Sequence, residues 1–518
     1  MKVSQTNDFA GRRVKLLDIY AATSRMVSLA VRFLPFARTS LRCCESCLAS
    51  RTPNLRNLRN LRIIPWFSCF LRTSDFGLRT ILLVLLIAAL LAGCSTRGAD
   101  AGKTVVAYTR WGDPAELEST RELIAQFMKE NPDIVVRVDV VAWRQYWQKM
   151  ATAVVTGTAQ DVWLVSPAHF EPYVAAGHVL DLTPFIKADP TFDIKNYFPN
   201  NFEDFCYTGE GNDLRNAPVG VGRLYAFPRD YNCNIMFYNR DHFDAAGVPY
   251  PTEDWTWDDL EKAAEKLTID FDGDGFIDQW GTSPLSVSYL APTIGGEFVD
   301  PIARKSIYAP RPGATEVLDA ITFCRDLIYK YHVAPSPSIQ LEGDAFVTGK
   351  VSMIVEGVWE IRNFNRCKSL WDIASIPVDK KGRKRGREAA GTGHCIYSRT
   401  KVPEAAWRLV KFLSDDESQR ALAKSGTSVP ALKSAAYSDD FLAPFDRPPK
   451  ESYKIIFKNL ENGEYRPRYT KGYLEYEDYS RTVLQGVWSG VRTPEEACKL
   501  IDAKTNAVLA EQYGEATR

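Results

Sequence analysis

Residues 104–141 read TVVAYTRWGDPAELESTRELIAQFMKENPDIVVRVDVV. The first six, TVVAYT, form a near-continuous apolar run, the composition of a strand covered on both faces. Asp113-Pro114 supplies an N-cap and an N1 proline, with Glu116 at the third helical position of a capping box. Leu117, Leu123, Ile124, Phe127 and Met128 recur at helical spacing until Asn131-Pro132 ends the helix. IVVRVDVV (134–141) is a second strand, a helix over 146–156 follows, and GTAQ leads into a third strand, DVWLV (161–165). This alternation predicts a parallel sheet with right-handed crossovers. Such sheets collect ligands beyond the carboxyl ends of their strands. Here those ends carry Arg110-Trp111 and Ser166.

Downstream, the spacing predicts a strand over 234–239, a short helix stopped by Gly247, and a helix over 257–267. Asp258 and Asp259 sit in the first turn of that helix, while Thr256 falls short of a perfect capping box. A helix over 315–330, strands over 351–357 and 371–377, and a closing helix after Thr493-Pro494 to about Ala510 complete the pattern. No repeat of solenoid length is present. At 518 residues the chain exceeds one small core, so two domains or lobes are expected.

The N-terminal region has a different texture. ILLVLLIAALLAGC (81–94) is apolar, short and preceded by Arg72 and Arg79, which suits a signal-peptide core better than a bilayer span. Its end, Leu91-Ala92-Gly93-Cys94, resembles a bacterial lipobox, which implies diacylglycerol on the Cys94 sulfur; Ser95 gives no inner-membrane retention signal. Residues 71–93 are read as the signal peptide. Residues 1–80 are Arg-rich and contain NLRNLRNLR (54–62), and are read as an N-terminal extension from a mis-assigned start, with synthesis beginning near 71–78. Residues 1–93 carry 14 basic and 4 acidic side chains, leaving 50 basic and 60 acidic, a net charge of −10 on the remainder. That balance argues against nucleic acid as a partner. The run KKGRKRG (380–386) reads as a solvated hairpin loop. An exported location permits disulfides among Cys206, Cys233, Cys324, Cys367, Cys395 and Cys498, but six cysteines allow fifteen pairings. None forms a CxxC, so a zinc site is disfavoured.

Five segments, in order, resemble the family 1 extracellular solute-binding proteins, the sugar receptors of ABC importers. They are GRLYAFPRDYNCNIMFYNRDHF (222–243), GVPYPTEDWTWDDLEKAAEKLT (247–268), AFVTGKVSMIVEGVW (345–359), GTGHCIYSRTKVPEAAWRLVKFLSDDESQ (391–419) and SGVRTPEEA (489–497). The resemblance spans nearly all of 103–510. It implies two α/β lobes, each a mainly parallel sheet flanked by helices, closing on a ligand about a hinge. Carried over, lobe one is 103–229 plus 378–435, and lobe two is 230–377 plus 436–518. The implied function is binding without chemistry: a monomer, lipid-anchored at the cell membrane on the periplasmic side or outer face, delivers a mono- or oligosaccharide to permease subunits.

Sugar sites need aromatic platforms beside carboxylates and amides. Trp359 aligns with a stacking tryptophan of the family, and Trp111 with a cleft position. Asn232 falls where the family's maltose receptor has a hinge glutamate, leaving Asp230 as the carboxylate. Ser166 and His394 stand at strand ends in matching segments. Tyr473, Tyr476 and Tyr479 read as packing residues.

The loop DFDGDGFIDQWG (270–281) matches the start of an EF-hand calcium loop. Asp270, Asp272, Asp274 and Asp278 offer side chains and Phe276 its carbonyl. The twelfth position is Gly281 instead of a bidentate glutamate, so a ligand would be borrowed, with Gln279 nearby. Similar loops occur in the resembled family, and some bind calcium. One loop is not a paired sensor, so a structural ion pinning a turn is the expected role. The competing class is a secreted calcium-dependent carbohydrate-active enzyme, which would need two carboxylates across a cleft.

Overall fold

The computed structural model describes residues 102–112, 114–208, 222–381, 389–461 and 470–514. The expected cap at Asp113, the Glu116 side chain, the signal segment with Cys94, and 382–386 of the basic run lie outside the described residues. No helix among the described residues is long and apolar enough to cross a membrane.

Strands β1 (Thr104–Trp111), β2 (Ile134–Val141) and β3 (Val162–Val165) pair in parallel, with Thr104 opposite Ile134 and Tyr108 opposite Val162. Helices α1 (Pro114–Glu130) and α2 (Trp143–Thr156) are their crossovers, and α3 (Pro167–Ala175) follows β3. Among the described residues, parallel pairing between strands is confined to these three. The long β4 (Ala226–Asn239) pairs antiparallel with β5 (Met353–Gly357), β6 (Trp371–Ala374) and β7 (Ala389–Ile396), and β7 pairs antiparallel with β3. The sheet order is therefore β6-β4-β7-β3-β1-β2, with β5 also on β4. Among the described residues, parallel contact returns in the second half only as two bridges, between Thr256 and Val378 and between Trp280 and Val351.

β4 spans both halves, and all 14 of its residues are buried. Tyr231, Cys233, Ile235 and Phe237 pack with Phe364, Trp371 and Tyr453 on one face, while Met236 and Tyr238 join the second-lobe core of Trp257, Leu260 and Met353 on the other. A third cluster, around Tyr108, Phe127, Trp163 and Phe205, fills the first lobe. At the waist, β4 lies between β7 and residues 429–431: Tyr231 N–H donates to Val429 O at 2.9 Å, and Ala431 N–H to Arg229 O at 3.2 Å. Gly391 of β7 is required there, since a Cβ would lie 2.0 Å from the Asp230 carbonyl oxygen.

In the second lobe, α4 (Trp257–Leu267) begins with a complete capping box. Thr256 accepts from the Asp259 backbone, and the Asp259 carboxylate accepts from the Thr256 backbone, because Asp at the third position reaches back as Glu does. Helices α5 (Glu316–Tyr329), α6 (Pro403–Phe412), α7 (Asp416–Ser425), α8 (Tyr473–Trp488) and α9 (Pro494–Tyr513) complete the layers used below. All six cysteines of the described residues are buried free thiols. Cys233, Cys367 and Cys395 each donate to a backbone carbonyl within their own packing cluster.

Candidate functional site

Trp111 ends β1 and meets helix α2 edge-on, with Trp143 at 5.0 Å and Tyr146 at 5.1 Å between ring centroids. Trp147, one turn beyond Trp143, stacks on His169 of α3 at 3.5 Å and an interplanar angle of 7°. Ser166, the residue after β3, places its hydroxyl 2.9 Å from His169 Nδ1. These side chains make an aromatic wall at the carboxyl ends of β1 and β3, where this kind of sheet gathers ligands. Trp143 stays 49 % exposed. Burial, reinforced by Arg481, lowers the His169 pKa to about 4, so the ring is neutral at ordinary pH. Arg481 belongs to α8, which packs on α3, so the second lobe contributes a guanidinium to the edge of the wall.

The second lobe presents Trp359, 41 % exposed, on the turn after β5. Its indole rests on the bare Cα of Gly357, where a Cβ would lie 2.2 Å from Trp359 Cη2. Glu356 precedes that glycine. Burial raises its pKa to about 7, and Glu360 adds to the shift. Asn363 donates to both Asp344 (2.8 Å) and Glu360 (3.0 Å), tying neighbouring carboxylates together. Asn234 of β4 stands opposite Gly357, and its buried Oδ1 has no hydrogen-bond partner. A cavity of about 430 Å³ opens beside α8, lined by Pro284, Leu285, Pro337, Ile339 and Trp488.

Two hinge residues face the chain itself. Asp230 is buried; one carboxylate oxygen accepts from Thr392 N–H at 2.7 Å, and the other from the Thr392 hydroxyl at 2.9 Å and from Arg229. Asn232 Oδ1 accepts from Val429 N–H at 3.0 Å. His394 is fully buried against Tyr108 and lines a separate small cavity with Arg110 and Arg229. The structure thus brings Trp111 and Ser166 together, puts Trp359 on the other lobe, and sets Asp230, Asn232 and His394 within the sheet. Sequence reading missed Trp143, Trp147, His169, Arg481, Glu356 and Asn234. The W-x-x-x-W spacing of Trp143 and Trp147 was the available signal, since it puts both rings on one helix face.

In the aspartate loop, carboxylate oxygens of Asp270, Asp272 and Asp278 lie within 4.8 Å of one another. Asp274 is outside that trio and accepts from Phe276 N–H at 2.8 Å. Gly281 departs from the EF-hand pattern for a packing reason: a Cβ there would lie 2.1 Å from the Ala264 carbonyl oxygen of α4. Gln279 is buried, and its amide nitrogen donates to Leu267 O at 2.8 Å, holding the same junction.

Residues 111–420 match the family described as bacterial extracellular solute-binding protein. The chain belongs to this family. Among curated relatives, this solute-binding protein is 24 % identical to the maltodextrin-binding protein of Bacillus subtilis, over 70 % of this chain and 82 % of that one. It is 21 % identical to a galactooligosaccharide-binding protein of the same organism, over 67 % of this chain and 78 % of that one. Among solved structures, it resembles an ABC substrate-binding protein of Listeria monocytogenes in complex with cycloalternan. The TM-score there is 0.68 at 27 % identity, covering 79 % of this chain and 99 % of that one. The solute-binding protein therefore shares the two-lobed architecture of these receptors.

Proposed function

We propose that this solute-binding protein captures a mono- or oligosaccharide between its lobes and delivers it to the permease subunits of an ABC importer. The observation that carries this reading is the pair of exposed tryptophans, Trp143 on the first-lobe wall and Trp359 on the second. Indole faces match the apolar CH faces of pyranose rings, while Asn234, Ser166, Glu356 and Arg481 supply donors and acceptors for hydroxyls. The saccharides named for its relatives support the same ligand class. Ligand contacts shared by both lobes favour the closed form, and the closed form engages the permease. Calorimetry with a panel of mono- and oligosaccharides tests this. Saturable binding with the sugar recovered intact is expected; product formation would favour the enzyme class, and silence across the panel would overturn the ligand class.

Glu356 gives the site a pH dependence. Its carboxyl is protonated below about pH 7 and ionised above. A carboxylate accepts hydroxyl hydrogen bonds more strongly than its acid, so affinity is expected to rise about three- to ten-fold between pH 6 and 8. Glu356→Gln will flatten that profile. For stability the sign is opposite. Between 4.5 and about 7 the folded state holds a proton that the unfolded state has released, so this group's contribution declines as pH rises through that window.

We also read the Asp270–Asp272–Asp278 trio as a structural calcium site, supported by the convergence of three carboxylates that would otherwise repel. Millimolar calcium is expected to raise the melting temperature by a few degrees, about what a ligand well above its Kd supplies. Asp272→Asn will remove most of that increment, and an unchanged wild-type melting curve would rule the ion out. Lipid attachment at Cys94 is the remaining part of the proposal. Labelled palmitate incorporated by the wild type and absent from Cys94→Ser supports it; equal labelling refutes it.

A further inference from the structure

The cavity of about 430 Å³ beside α8 falls within the roughly 300–1,000 Å³ of small-molecule pockets. Its chemistry differs from that of the two walls. Pro284, Leu285, Ile328, Pro337, Ile339 and Trp488 line it, and among the described residues no charged side chain does. Ser336 and Gln485 are the polar members besides the Cys324 thiol, and the Ser336 hydroxyl already meets Ser338 Oγ at 2.7 Å. Pro284, Pro335 and Pro337 also lack the backbone N–H that other residues would offer. A sugar hydroxyl buried here would leave water for few partners, which disfavours it. An alkyl or aromatic group loses nothing of that kind and gains by leaving water.

Two sides of the cavity lead back to the candidate site. Arg481, Gln485 and Trp488 stand at i, i+4 and i+7 on one face of α8. Arg481 borders the His169 wall, while Gln485 and Trp488 border the cavity one to two turns further along. On the other side, Trp280 and Val351 form a parallel bridge, and Ser283 N–H donates to Met353 O at 2.9 Å. Residues 280–285 therefore run beside β5 in its own direction, toward the Gly357–Trp359 turn. The rim is rigid as well. Ile339 N–H donates to Ser336 O at 2.9 Å, closing a turn with Pro337 at its second position. A rim set in advance leaves little ordering entropy to lose on binding.

We propose that this cavity receives an apolar group carried by the saccharide, so that the preferred ligand is a glycoside with an alkyl or aryl aglycone. The inference rests on the saccharide reading of the cleft and narrows its ligand class. The sugar ring lies against the exposed tryptophans, where donors and acceptors are at hand. The aglycone extends along α8 past Gln485 to Trp488, Ile339 and Leu285.

The test is calorimetry on the intact protein with the methyl, phenyl and hexyl glycosides of glucose, galactose and maltose, in both anomers, beside the free sugars. For a sugar that binds, the phenyl or hexyl glycoside should bind about ten-fold or more tightly than the methyl glycoside, since each buried methylene is worth roughly four-fold. Ile339 is 43 % exposed, so Ile339→Asp should fold normally. It should keep the affinity for the free sugar and lose most of the gain from the aglycone. Equal affinity for methyl, phenyl and hexyl glycosides would overturn the inference while leaving the saccharide reading in place. A gain that survives in Ile339→Asp would also overturn it, because the apolar group would then lie elsewhere. Silence from every free sugar and glycoside would overturn the saccharide reading, and this inference with it.

Discussion

Truncating Trp359 to alanine is expected to weaken saccharide binding about 30-fold or more while leaving the fold intact. The indole is 41 % exposed and rests on Gly357 instead of filling a core, so its removal opens no internal cavity. What is lost is a rigid aromatic platform of the kind that dominates binding energy, typically about 2 kcal/mol or more on truncation. Calorimetry with the tightest saccharide of the panel, alongside a thermal melt, separates the two effects. Unchanged affinity would move the ligand away from this turn; a large drop in melting temperature would make Trp359 a packing residue. Trp359→Phe should recover part of the affinity, since a smaller ring keeps the stacking face.

The second large effect belongs to the waist. Asp230→Ala is expected to destabilise the protein by about 3–5 kcal/mol, because it strands a buried Arg229 guanidinium and removes the acceptors of Thr392. The side chains of the pair are only 9 % and 1 % exposed, so solvent cannot take over either role. Urea unfolding reads the loss directly, and a shift under about 1 kcal/mol would mean the pair resembles an exposed one. Because Asp230 contacts the chain, an Asp230→Asn protein that still folds should keep most of its saccharide affinity.

These residues also show where sequence reading succeeds and stops. The first three strands were legible because each is an apolar run between helix signals, and α4 was placed at its true limits by its acidic first turn. Only the second half of β4 was predicted. Residues 226–233 contain Pro228, Arg229, Asp230 and Asn232, which erase the apolar signal. They are buried because partners arrive from far along the chain: Thr392 for Asp230, Val429 for Asn232, and Gln419 for the Arg229 carbonyl. The candidate site divides in the same way. Trp111, Ser166 and Trp359 stand at strand ends that local pattern reveals. Arg481 comes into place only because α8 packs across onto α3, a contact no window of sequence contains.

The waist has a mechanical consequence. Three stretches of chain lie there edge to edge: β7, β4 and residues 429–431, joined by backbone hydrogen bonds. A ribbon of that width flexes out of its own plane at small cost, since flexing leaves the edge bonds intact. Twisting or sliding in the plane must stretch those bonds. If the two walls close on a ligand as proposed, the waist is expected to act as a leaf spring with a single soft direction, bringing them together along one path while keeping them in register.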